Sequence, residues 1–526
     1  MIVGFRGQKN LRAAPLVFVA PALLVAAFVV IPFAYLLAQA FQAEPSKLAD
    51  LVFRARNARL FVNTLLLAGG VLAVGTAIAL PLAWLTARTD IRGRRLLTAL
   101  GVLPLAIPGY VIAYALLGLG GDYGLFAQLT AVSAPQLSGY WGSLLAISLY
   151  TFPYLFLNLR AALLGLDPCL EEAAQSLGAK RARVVWRVIL PQLKPAYAAG
   201  ALIVMLYVVG DFGAVSLMRF ETFSYALYMQ YAAAYDRVYA AWLALMLLGM
   251  TITLLVLEYR VLRGLALHRL ATGTARPATR RPLGAWRYPA YLFAGLVALC
   301  ALIVPTGSVV IWLARSVSFE SIAALGSPLW ASVSVAAPSA ILAASLALPI
   351  TYLSIRHPSV ISRVLERLAY LGYATPPLAL ALALIVFSLA AMPALYQTLA
   401  LLIAAYTLHF LAEAIGPVRS ALYQASPAVE EAARSLGCSQ LAAFRRATLP
   451  LLRGGLVAAT ALVFLSAMKE LPIAFLLAPA GFETLALGVW SYTNEAMFAA
   501  AAPYALAILV FSSLFVSLLL RVERRR

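Results

Sequence analysis

The chain has 526 residues, 63% of them hydrophobic and only 11% charged, with a formal net charge of +20. Soluble globular domains carry about 25% charged residues, so this composition excludes a water-soluble globule and points to repeated membrane crossings. Each crossing needs about 20 mostly apolar residues in a helix, the form that satisfies every backbone N–H and C=O within the segment.

Twelve such stretches follow one another, over residues 15–41, 60–87, 96–120, 138–162, 195–218, 238–260, 289–314, 329–354, 364–391, 394–418, 454–478 and 499–520. The first follows Arg6, Lys9 and Arg12 and ends in Ala38-Gln39-Ala40, which mimics a secretory cleavage site. Its apolar run from Ala13 to Ala40 is longer than the 7–15-residue apolar core of a signal peptide, so it reads as an uncleaved span. Placing the N-terminus inside puts most of the 40 Lys and Arg at cytoplasmic ends, among them Arg88 to Arg95, Arg160 to Lys194, Arg356 to Arg367 and Arg419 to Arg453. The positive charge therefore follows the positive-inside rule and needs no nucleic-acid partner. The multi-pass chain then has both termini cytoplasmic. Arg54, Arg56 and Arg59, in the first outer loop, depart from the rule, and nothing in the sequence explains them. Cys169, Cys300 and Cys438 are isolated and suggest neither a disulfide nor a metal ribbon.

The chain repeats itself at an offset of 259 residues. Residues 171–191 read EEAAQSLGAKRARVVWRVILP and residues 430–450 read EEAARSLGCSQLAAFRRATLP; Arg160, Leu163 and Pro168 recur as Arg419, Leu422 and Pro427. Asp211 falls opposite Glu470, and FET at 220–222 returns at 482–484. Each half holds six spans, an even number, so both enter from the same side and are related by a pseudo-twofold axis along the membrane normal. The expected organisation is a first half over 1–262, a basic cytoplasmic linker over 263–288 containing Gly273, Pro277 and Pro282, and a second half over 289–526.

The duplicated loops, 167–191 and 426–450, carry chemistry of their own. Asp167-Pro168 and Ser426-Pro427 each offer an N-cap followed by proline at the first helical position. Glu171, Glu172, Glu430 and Glu431 sit in the first turn, where the helix dipole favours carboxylates. Gly178 and Gly437 suit a left-handed helix end. The pattern of E-A-A, three residues, Gly, nine residues, an aliphatic position, one residue and Leu-Pro resembles the signature of binding-protein-dependent ABC importer permeases. It is carried by Glu172, Ala173, Ala174, Gly178, Leu190 and Pro191, and again by Glu431, Ala432, Ala433, Gly437, Leu449 and Pro450. Val188 takes the usual isoleucine position, and Ala447 departs from it. The resemblance implies an all-α integral membrane fold of two six-helix, MetI-like halves in a bacterial inner membrane. It implies loops that fit clefts on two ABC ATPase subunits, and a periplasmic solute-binding protein as third partner. ATP and Mg belong to the ATPases: the chain has no G-x-x-x-x-G-K-S/T loop, and no cofactor of its own is expected. The glycine-rich GLGGDYG at 118–124 falls in an outer turn and does not read as a phosphate site.

Ionisable groups inside a membrane are functional candidates by default. Asp211 in VVGDFGAV and Lys469-Glu470 in SAMKELP, at equivalent depths of the fifth spans, are candidates for the translocation pathway; alternatively Lys469 and Glu470 neutralise each other and position helices. His409 reads as a packing residue, and no firm metal site emerges. The segments DFGAV with FET, and KELPIAFLLAPAGFETLA, resemble fused ferric-iron permeases, which implies iron as cargo. Fused thiamine permeases are similar and form the alternative. Twelve spans in two parallel halves also describe secondary transporters, but those have no need of two matched loops. A membrane enzyme would need a motif such as H-E-x-x-H or a nucleophile elbow, and neither is present.

Overall fold

The computed structural model describes residues 16–42, 50–232, 236–263, 280–316 and 324–524. The N-terminal Arg6, Lys9 and Arg12 and the greater part of the linker, 264–279, lie outside the described residues. Among the described residues, eight helices are long and apolar enough to cross a membrane: Leu16–Ala40, Asp50–Arg88, Gly139–Gly165, Ala182–Gly210, Arg237–Glu258, Gly284–Arg315, Gly326–Arg356 and Leu399–Gln424. They match spans one, two, four, five, six, seven, eight and ten of the sequence. The expected twelfth span falls in the helix Phe498–Arg524, whose described apolar part, Phe498–Leu514, is shorter than the other crossing helices.

The other three spans are broken. Span three bends by 93° between Arg94–Ala106 and Gly109–Leu119, and its counterpart, span nine, bends by 107° between Val360–Ala374 and Pro377–Ala391. The stretches 96–120 and 364–391 read from the sequence as single spans. Proline removes a helical N–H and pushes its predecessor out of the helical region. Ile107, before Pro108, is accordingly extended at φ −99°, ψ 112°, and Pro376, before Pro377, sits at ψ 133°. Span eleven bends by 68° between Gln440–Leu451 and Arg453–Met468, next to Gly454-Gly455, whereas the equivalent Ala182–Gly210 is one helix.

The described chain gathers into two compact units, and neither is a half of the sequence. The smaller takes in the chain up to Ala34, Val335–Tyr373 and Ile403–Ala467; the larger takes in Tyr35–Ser334, Ala374–Leu402 and the chain from Met468 onward. Within the smaller unit, the start of span one packs on second-half helices: Phe18 stacks on Tyr352 at 4.4 Å and meets Phe444 edge-on at 5.0 Å. Within the larger unit, span seven, which opens the second half, lies on span three of the first. Tyr291 Oη donates to the Arg92 carbonyl at 3.1 Å, and the Trp312 indole stands against Gly118. Each half thus lends its first span to the other. Spans two, four and five of the larger unit approach closely at small residues, as interhelical contact in lipid favours. A Cβ at Gly75 would stand 3.3 Å from the Leu155 side chain, and one at Gly200 would stand 3.2 Å from the Leu155 backbone.

Candidate functional site

The duplicated loops fold alike, from their capping residues upward. Helices Pro168–Ser176 and Pro427–Ser435 each open with proline at the first position. Asp167 Oδ1 accepts the Cys169 N–H at 3.0 Å, and Ser426 Oγ accepts the Ala428 N–H at 3.3 Å. Caps of this kind stabilise a helix by about 1 kcal/mol. The bond from Cys169 also holds the Asp167 carboxyl below its ordinary pKa. At the other end Gly178 (φ +80°) and Gly437 (φ +88°) adopt the left-handed conformation. The Ala179 N–H then reaches the Ala174 carbonyl at 3.0 Å, and the Gly178 N–H reaches that of Gln175 at 2.9 Å. Cys438 to Ala433 at 3.1 Å and Gly437 to Arg434 at 3.0 Å repeat the arrangement. This paired bonding closes carbonyls that the helix end would leave open.

Adjacent helical residues point about 100° apart, and the two glutamates of each loop are sorted by that angle. Glu171 turns inward and is 7% exposed; Arg88 Nη1 lies 2.7 Å from one of its oxygens and Arg281 Nη2 lies 2.9 Å from the other. Glu430 also turns inward, but its partners are neutral: Tyr352 Oη donates at 2.5 Å and Thr448 Oγ1 at 3.1 Å. Glu172, Ala173, Glu431 and Ala432 face out, with Ala174 and Ala433 half-buried beside them. Leu177 and Leu436, one repeat apart, are 88% and 86% exposed and extend that outer face. Downstream, Val185–Ile189 and Phe444–Thr448 form π-turns at the repeat offset, directly before Leu190-Pro191 and Leu449-Pro450. The Leu-Pro pair of the motif therefore marks where a widened turn hands over to regular helix, at a proline that has no N–H to give.

At their far ends the fifth spans also match. The expected helix over 195–218 stops at Gly210, with Asp211 extended at φ −65°, ψ 126°. Asp211 Oδ1 accepts the N–H groups of Ala214 (3.0 Å) and Val215 (3.2 Å), so its carboxylate caps the short helix Gly213–Leu217. Glu470 Oε1 does the same for Pro472–Leu477, accepting from the Ile473 N–H at 3.1 Å. Lys469 Nζ donates to the Leu105 carbonyl at 3.2 Å, and the Lys469 carbonyl accepts from Tyr110 Oη at the same distance. His409 is buried, its Nδ1 3.2 Å from the Gly372 carbonyl and its ring against Tyr373. It is a packed, hydrogen-bonded residue, as its surroundings in the sequence suggested.

The structure adds groups that the sequence did not single out. Tyr150 Oη donates to Asp211 Oδ2 at 2.9 Å, and Tyr154 Oη donates to Tyr207 Oη at 2.8 Å with the two rings stacked at 4.8 Å. At the repeat offset Tyr154 becomes Glu413 and Tyr207 becomes Ser466, and Ser466 Oγ donates to Glu413 Oε2 at 2.7 Å. The same rung thus links spans four and five and spans ten and eleven. Carrying the 259-residue offset through those spans would have exposed it. Among the described residues, no three His, Cys, Asp or Glu side chains converge as a metal site.

Comparison of the sequence with known proteins points to one family. The family described as binding-protein-dependent transport system inner membrane component matches twice, over residues 75–265 and 336–526. The Fe(3+)-transport system permease protein FbpB 2 of Haemophilus influenzae is 32% identical over 493 residues, covering 93% of this chain and 95% of that protein. Shorter likenesses extend to a probable molybdenum ABC transporter permease of Haloferax volcanii (38% identical; 28% of this chain, 54% of that protein). Another is the sulfate transport system permease protein CysT of Salmonella typhimurium (31%; 37% and 70%). With two matched domains and a relative that runs almost its full length, the chain belongs to the binding-protein-dependent transport system inner membrane components and is a multi-pass ABC permease.

Proposed function

We propose that this permease is the fused, two-half translocation subunit of an ATP-driven importer that passes ferric iron from a periplasmic binding protein to the cytoplasm. Its loop helices Pro168–Ser176 and Pro427–Ser435 each seat on one of two ABC ATPase subunits, which bind the ATP and Mg. The termini and both loops then face the cytoplasm. The observation that carries the coupling role is the repetition of one outward face: Glu172, Ala173 and Leu177 in the first loop, Glu431, Ala432 and Leu436 in the second. Closure of the ATPase pair draws the loops together and shifts the permease from inward-open to outward-open. The iron assignment rests on the Haemophilus relative, which matches this chain almost from end to end.

Fe(III) is a hard cation that favours oxygen ligands, and Asp211 and Glu470 supply carboxylates in equivalent places. Their capping bonds keep the contacts transient, because one oxygen of each carboxylate already accepts from the backbone. The test is uptake in vesicles holding the permease, its ATPase and its binding protein. Asp211→Asn and Glu470→Gln keep a capping oxygen and remove the charge, whereas Asp211→Ala removes both. Slower iron uptake in the amide variants, with unchanged thermal stability, supports a pathway role. Parental rates in the amide variants and a loss confined to Asp211→Ala would make the carboxylates caps alone. Uptake of thiamine but not iron would overturn the cargo.

A further inference from the structure

The carboxy-terminal end of the segment joining the halves, residues 280–288, is knitted onto the first half. The Arg281 N–H donates to the Arg88 carbonyl at 2.9 Å, and the Arg281 carbonyl accepts from the Asp90 N–H at 3.2 Å. The Leu283 N–H reaches Asp90 Oδ1 at 3.0 Å. From that backbone clasp the Arg281 guanidinium passes over the Trp84 ring, 6.0 Å from its centroid, and reaches Glu171 Oε2 at 2.9 Å. Glu171 is the inward anchor of the first loop helix. Its other oxygen faces Arg88, which is 2% exposed and whose Nε and Nη2 lack hydrogen-bond partners. The counterpart anchor, Glu430, is held by Tyr352 and Thr448, both of its own half. Arg356, the counterpart of Arg88, donates to the Ala425 carbonyl.

We propose that the joining segment is a strut rather than only a tether, and that Arg281 is a positioning residue which fixes the first loop helix through Glu171. The joined polypeptide therefore builds an inequality into two otherwise matched loops: the anchor of the first is ion-paired to a residue of the joining segment, whereas the anchor of the second takes its hydrogen bonds from its own half, and Phe18 of the other half adds only ring contacts to Tyr352 and Phe444. Glu171 Oε2 accepts a hydrogen bond from Arg281, whereas Oε1 lies 2.7 Å from Arg88 Nη1 without a hydrogen bond, so the Arg281 contact sets the direction of the carboxylate and of the helix that carries it. Removing Arg281 leaves Glu171 with Arg88 alone, free to turn about a single contact. The half-exposed Arg281 adds modest energy, and its contribution is mainly orientation. The role in transport rests on the proposal that this helix docks to an ATPase; the brace itself does not.

The experiment uses the full-length permease in lipid nanodiscs, with a spin label on Ala179→Cys in a chain whose Cys169, Cys300 and Cys438 are replaced by serine, or on the native Cys438 in a chain whose Cys169 and Cys300 are replaced by serine. Arg281→Ala and Arg281→Lys are compared with the parent, and so is a chain severed between residues 272 and 273 that retains residues 280–288. The expected result is a sharper, more mobile spectrum at 179 in Arg281→Ala, an intermediate one in Arg281→Lys, and no change at 438 in either. The severed chain should keep the parental spectrum at 179, because its strut is still docked. With ATPase and binding protein added, nucleotide hydrolysed per ion transported should rise by up to about fivefold in Arg281→Ala, the scale of one weakened ion pair. An unchanged spectrum at 179 in Arg281→Ala overturns the strut, and so does equal loosening at 438. Loosening at 179 with an unchanged hydrolysis ratio upholds the strut and instead overturns the first helix as a coupling element.

Discussion

Replacing Gly178 or Gly437 isolates the left-handed turn that ends each loop helix. At φ +80° and +88° the backbone is in the region that L side chains avoid, and no atom stands within 4 Å of an added Cβ at either position. The penalty is therefore conformational and free of steric clash with neighbours. A left-handed non-glycine residue loses about 1–2 kcal/mol, asparagine less because it tolerates this region, and a β-branched residue more. A nine-residue helix is marginal by itself, so the loss falls directly on the docking-competent population. Apparent affinity for the ATPase scales with that population and should fall by up to about 5- to 30-fold for alanine. The severity should run Asn, then Ala, then Val, and should be alike at 178 and 437, whose geometries agree, despite the weaker motif match at Ala447. The assay is ATPase binding to nanodisc-embedded permease, with nucleotide-driven uptake alongside. Valine variants that bind and transport normally, or asparagine variants as impaired as valine, would refute the reasoning.

The unequal anchors give a second expectation. Glu171→Ala strands the buried Arg88 charge and should destabilise the protein by about 3–5 kcal/mol. Glu430→Ala strands two hydroxyls, for about 1–3 kcal/mol. Thermal unfolding followed by thiol labelling ranks them, and equal losses would contradict the assignment. Tyr154→Phe and Ser466→Ala each remove one interhelical hydrogen bond and should shift stability by only about 0.6 kcal/mol; a shift of several kcal/mol would mean that the rung holds more than its own pair. Residues 1–272 and 273–526 expressed as separate chains should co-purify, because each half carries a first span that packs on the other; failure to associate would show that the covalent join holds them together.

The loops were legible because their determinants are local. Asp167-Pro168 and Ser426-Pro427 specify a cap and a first turn within a few residues, and Gly178 and Gly437 specify the exit; both copies formed as expected. The bends at Pro108 and Pro376 were equally local, but long apolar runs obscured them, since composition records hydropathy and not direction. Which of two adjacent glutamates turns inward depends on Arg88, more than 80 residues earlier in the chain, and on Arg281, more than 100 residues later. No periodicity encodes such partners. The rung of Glu413 and Ser466 escaped for another reason: a single carboxylate in span ten looks incidental until the offset sets it beside Tyr154 and Tyr207.

The exchange of first spans sets a timetable for biosynthesis. Phe18 emerges at the start of translation, yet its ring partner Tyr352 lies roughly 330 residues further along, and Phe444 lies later still. At about 5–20 residues per second, span one must wait on the order of 20 seconds to a minute or more in the bilayer before the surface it covers exists. During that interval its Phe18 face meets lipid, which is a tolerable solvent for an aromatic ring. A water-soluble protein with the same connectivity would expose that face to aggregation. Lipid thus permits an order of assembly in which the earliest helix is among the last to find its place.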